Sequence, residues 1–268
     1  MCENGLLSAK LMLHRTEQPE NSNAAPLMRP ALFIISLLCV VLFWGGILIA
    51  KWLYPAEFDW RYMTLSTLLS PRRNPDGHLW AAGGVVLSSL CALCWAVALR
   101  FGSDESSAQR AGGIPLVIVG SICMAASVLL PWRLPRLPKE HEILTLFAFA
   151  GLCLGMIRLA FQTAGRFLRR RVGGSARRLR LYGAALASVA VFPIFVAGLA
   201  EAYVFYVLPQ LHWVNLAWRA QGVSMYLSFA FWEWITCAML SSYIAILSIA
   251  VQSSQPSGAS RSRTLLRI

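Results

Sequence analysis

Long apolar stretches separated by short polar ones are the dominant pattern of this chain. A helix needs roughly 20 residues to cross a bilayer, and six of the apolar stretches reach that length. They lie at 31–53, 79–99, 112–131, 143–162, 182–207 and 222–251. The last two exceed the bilayer thickness, which indicates tilting or projection beyond the hydrocarbon. The pattern predicts an all-α fold, a polytopic membrane bundle of six transmembrane helices.

The two ends of the chain differ from this central part. Residues 1–30 and 252–268 are polar, so we expect a flexible N-terminal tail and a disordered C-terminal tail around a transmembrane domain at 31–251. The first 30 residues contain no apolar core followed by a small-residue cleavage site, so they do not predict a removable signal peptide.

Composition agrees with a membrane protein, because 57% of the residues are hydrophobic and only 13% are charged. A typical soluble domain is about 25% charged. The net charge of +12 could suggest nucleic acid, but the basic residues cluster between apolar stretches without an aromatic-interleaved basic face or zinc-ligand spacing. We therefore expect membrane lipids and no nucleic acid as partners, and we predict no cofactor and no metal.

The basic residues also predict the orientation. Alternating the loops across six spans places fifteen Lys and Arg on the side of both termini and eight on the other. The positive-inside rule makes the first side cytoplasmic. We expect an integral protein of a bacterial cytoplasmic (inner) membrane with both termini in the cytoplasm.

The first outer loop, Asp59 to His78, mixes both charge signs with Ser, Asn, Pro and Gly. Helical spacing of apolar residues in 61–69 predicts a short helix lying in the membrane interface, which Ser70-Pro71 would end. Residues 74–77 (NPDG) predict a turn in which glycine tolerates a positive dihedral angle. We interpret this loop as a lid over the outer ends of the helices.

The outer loops supply the candidate site residues, because His and carboxylates suit proton transfer and ligand binding. The catalytic candidates are His78, His141, Asp59 and Glu142. The ligand-binding candidates at the outer face are Asp59, Arg61, Ser66, Arg72, Arg73, Asn74, Asp76, His78, Glu140 and His141. An ordinary set of solvated loops is the alternative interpretation of this face.

Three ionisable residues lie inside the spans, where each costs at least about 2.5–3.5 kcal/mol and usually faces the bundle interior. They are Arg158, Glu201 and Glu233, and they complete the ligand-binding candidates. We predict an Arg158–Glu233 ion pair near the middle of the bilayer, with Glu201 nearer the outer mouth.

Gly151 and Gly155 form a GxxxG pattern in the fourth span. Such a pattern allows close helix packing, either within the chain or in a homodimer.

The outer-loop residues Tyr62, Ser66, Leu68, Pro71 and Asn74, together with His141, give the chain a family resemblance. With six spans and a long first outer loop, it resembles the domain-of-unknown-function 998 membrane proteins, and is similar to the damage-regulated autophagy modulator and Frag-type six-helix proteins. The resemblance implies a six-helix fold and, for the Frag-type branch, lipid remodelling.

Three functional hypotheses remain open at this point. The first is a lipid- or amphiphile-handling protein that binds its ligand at the outer face. The second is a small-solute or proton-coupled transporter that uses Arg158 and Glu233. The third is a membrane-embedded lipid-modifying enzyme with acid–base chemistry at His78 and His141.

Overall fold

The computed structural model describes residues 25–101, 112–133, 138–169, 199, 219–220, 222 and 224–253. These residues form α-helices and turns, and no strand occurs among them. The helices are α1 (Ala25–Trp52), α2 (Leu65–Leu69), α3 (His78–Phe101), α4 (Gly113–Arg133), α5 (Pro138–Arg169) and α6 (Phe229–Ser253). A single 3-10 turn, Met225–Leu227, precedes α6.

Within the described ranges, five helices are long and apolar enough to cross a membrane. Their apolar spans are Pro30–Trp52, His78–Arg100, Gly113–Leu130, Ile143–Gln162 and Phe229–Ile249. Five of the six predicted stretches are therefore confirmed as helical. The sixth, 182–207, lies outside the described residues, so the count of six helices stays a prediction.

The last span begins seven residues later than the pattern predicted. Gly222 has a positive φ of 70°, and the backbone then forms the 3-10 turn before α6 starts at Phe229. An α-helix does not continue through a residue with positive φ or through a 3-10 turn. The residues around Gly222 are nevertheless apolar, which is why the hydrophobic pattern placed the start of the helix too early.

Glycines bring the helices of each hairpin close together. In the α1–α3 pair, a Cβ added at Gly84 would lie 2.7 Å from the carbonyl oxygen of Leu42 and 2.9 Å from Gly46 Cα. In the α4–α5 pair, a Cβ added at Gly151 would lie 2.8 Å from Gly120 Cα. Small residues at these positions let the backbones touch, which supplies van der Waals packing in a membrane where hydrophobicity does not drive helix association.

The GxxxG pattern of α5 thus serves packing within the chain. Gly151 faces Gly120, and a Cβ at Gly155 would meet the side chain of Val117 at 2.7 Å. The intramolecular interpretation is confirmed. A homodimer through the same glycines would have to displace α4.

Helix α6 contacts both helix pairs, α1–α3 through α1 and α4–α5 through α5. Two tryptophans form hydrogen bonds with serines of α6. The indole N–H of Trp44 donates to Ser241 Oγ at 3.1 Å, and that of Trp95 donates to Ser248 Oγ at 2.8 Å. Both Trp95 and Ser248 are fully buried. These bonds fix the rotation of α6, because an indole N–H left unpaired inside a bundle would be costly.

The short helix of the first loop differs from its prediction. It begins at Leu65 rather than at residue 61, and it ends at Leu69 with Ser70 extended, as Pro71 requires. Leu65 and Leu68 are buried against the bundle instead of facing lipid. A short helix in this loop is therefore confirmed, whereas its position in the membrane interface stays a prediction.

Candidate functional site

Residues 53–77, which we call the lid, cover one end of the bundle, which we call the lid end. Two consecutive residues of α6 hold the lid. The Glu233 carboxylate accepts a hydrogen bond from the backbone N–H of Leu65 at 2.9 Å, and the indole N–H of Trp234 donates to the Met63 carbonyl at 2.9 Å. Glu233 is buried, and no Lys or Arg of the described residues forms an ion pair with it.

Asn74 ties the lid to the ends of α1 and α3. Its side-chain amide donates to the carbonyls of Ala50 at 3.0 Å and Leu68 at 3.2 Å, and its Oδ1 accepts from the N–H of Gly77 at 3.2 Å. Both amide hydrogens are in use and the residue is fully buried. Asn74, predicted as a ligand-binding residue, thus has a structural role.

The turn at 74–77 is confirmed, but the reason for its glycine is not the predicted one. Gly77 does not have a positive φ. A Cβ at Gly77 would instead lie 2.6 Å from the Asn74 side chain and 2.7 Å from the Ala50 carbonyl. Glycine is required here by the close approach of the Asn74 amide.

An ion cluster connects the lid with the segment before α6. Asp59 accepts from Arg61 Nε at 2.8 Å, Arg61 Nη2 at 3.0 Å and the Arg61 backbone N–H at 3.1 Å, while Arg219 Nη1 lies 3.3 Å from Asp59 Oδ2. The hydrogen bonds from the Arg61 side chain hold the pKa of Asp59 below its ordinary value of 3.8, although burial opposes them. The lid and the segment before α6 therefore meet at this contact.

Hydroxyl groups surround the start of α2. Thr64 Oγ1 lies 2.7 Å from Ser66 Oγ and 3.2 Å from Thr67 Oγ1. Thr64 and Thr67 are buried and Ser66 is half-buried. Ser66 is the member of this group that a ligand at the lid end could reach.

The two candidate catalytic histidines each contact backbone carbonyl oxygens, His78 in the turn before α3 and His141 on the neighbouring helix α4. His78 Nδ1 lies 2.8 Å from the Pro75 carbonyl and 3.1 Å from that of Asn74, and His141 Nδ1 lies 2.7 Å from the Ser127 carbonyl. A carbonyl only accepts, so Nδ1 carries the proton in both rings. These contacts place the histidines in separate hairpins, at the start of α3 and at the start of α5.

The predicted Arg158–Glu233 ion pair is wrong, because the two side chains lie at opposite ends of the bundle. The guanidinium of Arg158 lies against Gly112, just before α4 begins, far from the lid. Glu233 lies under the lid at Leu65. The fourth span runs antiparallel to α4, so Arg158 reaches the end where α4 starts. The transporter hypothesis loses the midplane pair on which it was based.

The other candidate residues fall into two groups. Arg72, Arg73 and Asp76 are exposed on the lid. The side chains of Glu140 and Glu142, and the whole of Glu201, lie outside the described residues. Across the described part of the chain, no three His, Cys, Asp or Glu side chains come close enough to hold a metal ion.

A half-open cavity of about 70 Å³ lies between residues of α1, α3, α4, α5 and α6. Its walls are apolar side chains such as Phe43 and Met156, together with four serines, Ser88, Ser89, Ser121 and Ser241. Sequence reasoning missed these residues, because a single serine in an apolar stretch is common in membrane helices. The available signal was the repetition of serines in three different spans.

Comparisons with known proteins identify a family without naming an activity. The family model described as "Protein of unknown function (DUF998)" matches residues 37–235, which is well over half of the chain. A search of curated proteins and a search of solved structures found no match.

Proposed function

The chain belongs to the DUF998 family, and on that basis we propose that it is a membrane protein that binds a lipid or another amphiphile at the lid end. The lid would be the outer face of a bacterial inner membrane protein whose termini are cytoplasmic. The ligand's polar group would contact the lid, and its apolar part would enter the bundle.

One observation carries this proposal, namely the continuous face of α6 that leads from the lid to the cavity. Glu233 holds the lid, and Cys237 and Ser241 line the cavity one and two turns further along the same face. At about 1.5 Å per residue, Ser241 lies roughly 12 Å from Glu233 along the helix axis. An amphiphile would match this arrangement, with its polar group at the lid and its apolar chain in the cavity.

The surface of the lid end is suited to a headgroup. Lys51, Arg72 and Arg73 are exposed there, beside the exposed aromatic residues Trp52 and Trp80. Trp is enriched where a membrane meets water, and basic side chains there attract anionic headgroups. The resemblance to Frag-type proteins that the sequence predicts would imply lipid remodelling, and a lipid ligand is the part of that expectation proposed here.

Binding of a labelled single-chain lipid tests the proposal. The full chain is purified in a mild detergent and titrated with lysophosphatidylglycerol that carries a dansyl group on its acyl chain. We expect saturable fluorescence that unlabelled lysophosphatidylglycerol reverses. The double variant Arg72→Gln/Arg73→Gln should weaken binding several-fold, because two exposed positive charges near the phosphate are removed.

A neutral lipid is the matched control. Dansyl-labelled monoacylglycerol should bind wild type and the double variant equally well, because it lacks the phosphate. Unsaturable partitioning of both probes, with no difference from empty detergent micelles, would contradict the proposed function.

A further inference from the structure

We propose that the cavity between the five helices is a binding site for the uncharged part of an amphiphile, which pairs a hydroxyl or carbonyl group with Ser121. This inference rests on the proposed function and names where in the bundle its ligand binds. Neither the family nor the candidate residues of the loops assign such a site.

The first argument is an unpaired hydroxyl group. Ser121 lines the cavity, is only 2% exposed, and its Oγ has no hydrogen-bond partner among the residues that the structure describes. Leaving a hydroxyl unpaired in an apolar environment costs roughly 1–3 kcal/mol on mutational scales. A ligand atom that accepts from or donates to this Oγ would remove that cost.

The other serines of the cavity have already used their hydrogens. Ser88 and Ser89 both donate to the Val85 carbonyl, and Ser241 donates to the Cys237 carbonyl. The Ser241 oxygen also accepts the indole N–H of Trp44, as described above. Among the serines of the described lining, Ser121 on α4 is therefore the one whose hydroxyl hydrogen is not already donated, within walls that are mostly apolar.

The charge of the walls defines the ligand class. None of the described residues that line the cavity is Asp, Glu, Lys, Arg or His. A charged ligand group would be unpaired there, at a cost comparable to that of a charged side chain in the membrane. The cavity thus fits an uncharged section, such as an alkyl chain with one hydroxyl or ester group, while any charged headgroup stays at the lid.

The volume limits how much of the ligand can enter. A cavity of about 70 Å³ would hold roughly two water molecules, or a short section of one chain instead. A ligand with two bulky chains would not fit, so we expect a single-chain amphiphile or one chain of a larger lipid. Water alone is the competing occupant.

A photoreactive neutral amphiphile tests the site. The probe is a monoacylglycerol with a diazirine in the middle of its chain, added to the full chain in a mild detergent, irradiated, and mapped by peptide mass spectrometry. We expect cross-links in peptides that contain Ala92, Met156 or Leu240, and competition by unlabelled monoacylglycerol. Labels confined to lipid-facing residues such as Leu87 and Leu154 would overturn the site.

Two serine variants of α4 distinguish a loss of ligand contact from a general loss of folding. Ser121→Ala removes the free hydroxyl and should raise the half-saturating probe concentration about fivefold, which corresponds to one neutral hydrogen bond of about 1 kcal/mol. Ser127→Ala is the control, because Ser127 is equally buried but already donates to the Met124 carbonyl and does not line the cavity. Equal probe binding by both variants and wild type would overturn the role of Ser121.

The outcomes also distinguish this site from the proposed function. Competed cross-links in residues 53–77, with none in the cavity, would overturn the cavity site and leave amphiphile binding at the lid. Absence of any competed cross-link would overturn both. The variant Ala92→Leu, which places a larger side chain in the cavity, should abolish cavity labels while lid labels persist.

Discussion

The carboxylate of Glu233 accepts the backbone N–H of Leu65 at 2.9 Å, although the two residues are 168 positions apart in the chain. This bond joins the last described helix to the short helix of the lid. Because the neighbouring Trp234 donates to Met63, one turn of α6 holds two successive parts of the lid. The position of the lid therefore depends on α6 as well as on the loop itself.

Substitutions of Glu233 should show whether its hydrogen bond or its charge stabilises the lid. Glu233→Ala leaves the Leu65 N–H unpaired in a buried place, so we expect a loss of about 1–3 kcal/mol in the free energy of unfolding. It should also speed tryptic cleavage at the exposed Arg72 and Arg73. Glu233→Gln keeps an acceptor oxygen and should behave nearly as wild type. If Gln is as damaging as Ala, the hydrogen bond is not what holds the lid.

Substitutions of Asn74 should be more damaging than those of the exposed lid residues. Asn74→Ala removes three hydrogen bonds, and Asn74→Asp replaces both amide donors with an oxygen that faces the carbonyls of Ala50 and Leu68. We expect Asp to destabilise more than Ala, by several kcal/mol in total, because it adds a buried unpaired charge. Thermal unfolding in detergent measures both. A milder effect of Asp than of Ala would contradict the geometry at Asn74.

The lowered pKa of Asp59 predicts a pH dependence of stability. Its carboxylate contributes stability that is fully present above its ordinary pKa of 3.8 and is lost as the pH falls through the lowered folded-state pKa. Asp59→Asn should therefore be less stable than wild type at neutral pH, and the difference should shrink below about pH 4. Thermal unfolding between pH 3 and pH 7 is the measurement, within the range that titrates carboxylates.

Asp76→Asn is the control for that experiment, because Asp76 is exposed on the same lid. Its unfolding curve should follow that of wild type at every pH. A stability difference for Asp59→Asn that is the same at all pH values would show that the ion cluster does not contribute through its charge.

Two adjacent glycines of α3 offer a steric prediction. A Cβ at Gly84 would collide with the α1 backbone at Leu42 and Gly46, whereas a Cβ at Gly83 meets nothing within 4 Å. Gly84→Ala should lose about 1–3 kcal/mol in the free energy of unfolding. Gly83→Ala should be neutral or stabilise by up to about 1 kcal/mol, because alanine is the better helix former. Similar stabilities for the two variants would contradict the close α1–α3 packing.

The sequence predicted the structure well where the length and apolar content of a segment determine it. The spans ending near Trp52 and beginning at His78 and Ile143 lie within a residue or so of their predictions. The turn at Asn74 was recognisable because Pro75 and Gly77 belong to known turn chemistry. The start of α6 was missed, because hydropathy does not register the backbone of Gly222.

The site was harder to predict, because it depends on which helix faces which. Arg158 and Glu233 are both intramembrane charges, and composition gives no information on whether the two side chains meet. Asn74 is polar and lies in a loop, yet it is fully buried, since the loop folds back over the helix ends. Ser121 carried no signal of its own, and only the packing of five helices places it in a cavity.

Native mass spectrometry of the full chain, extracted in a mild detergent and incubated with an excess of monoacylglycerol, tests the central claim most directly. The account predicts a wild-type peak with one added amphiphile that survives transfer to fresh detergent, and its loss in Ala92→Leu. Wild-type protein that carries no amphiphile after this treatment, or Ala92→Leu that retains it equally, would contradict binding inside the bundle.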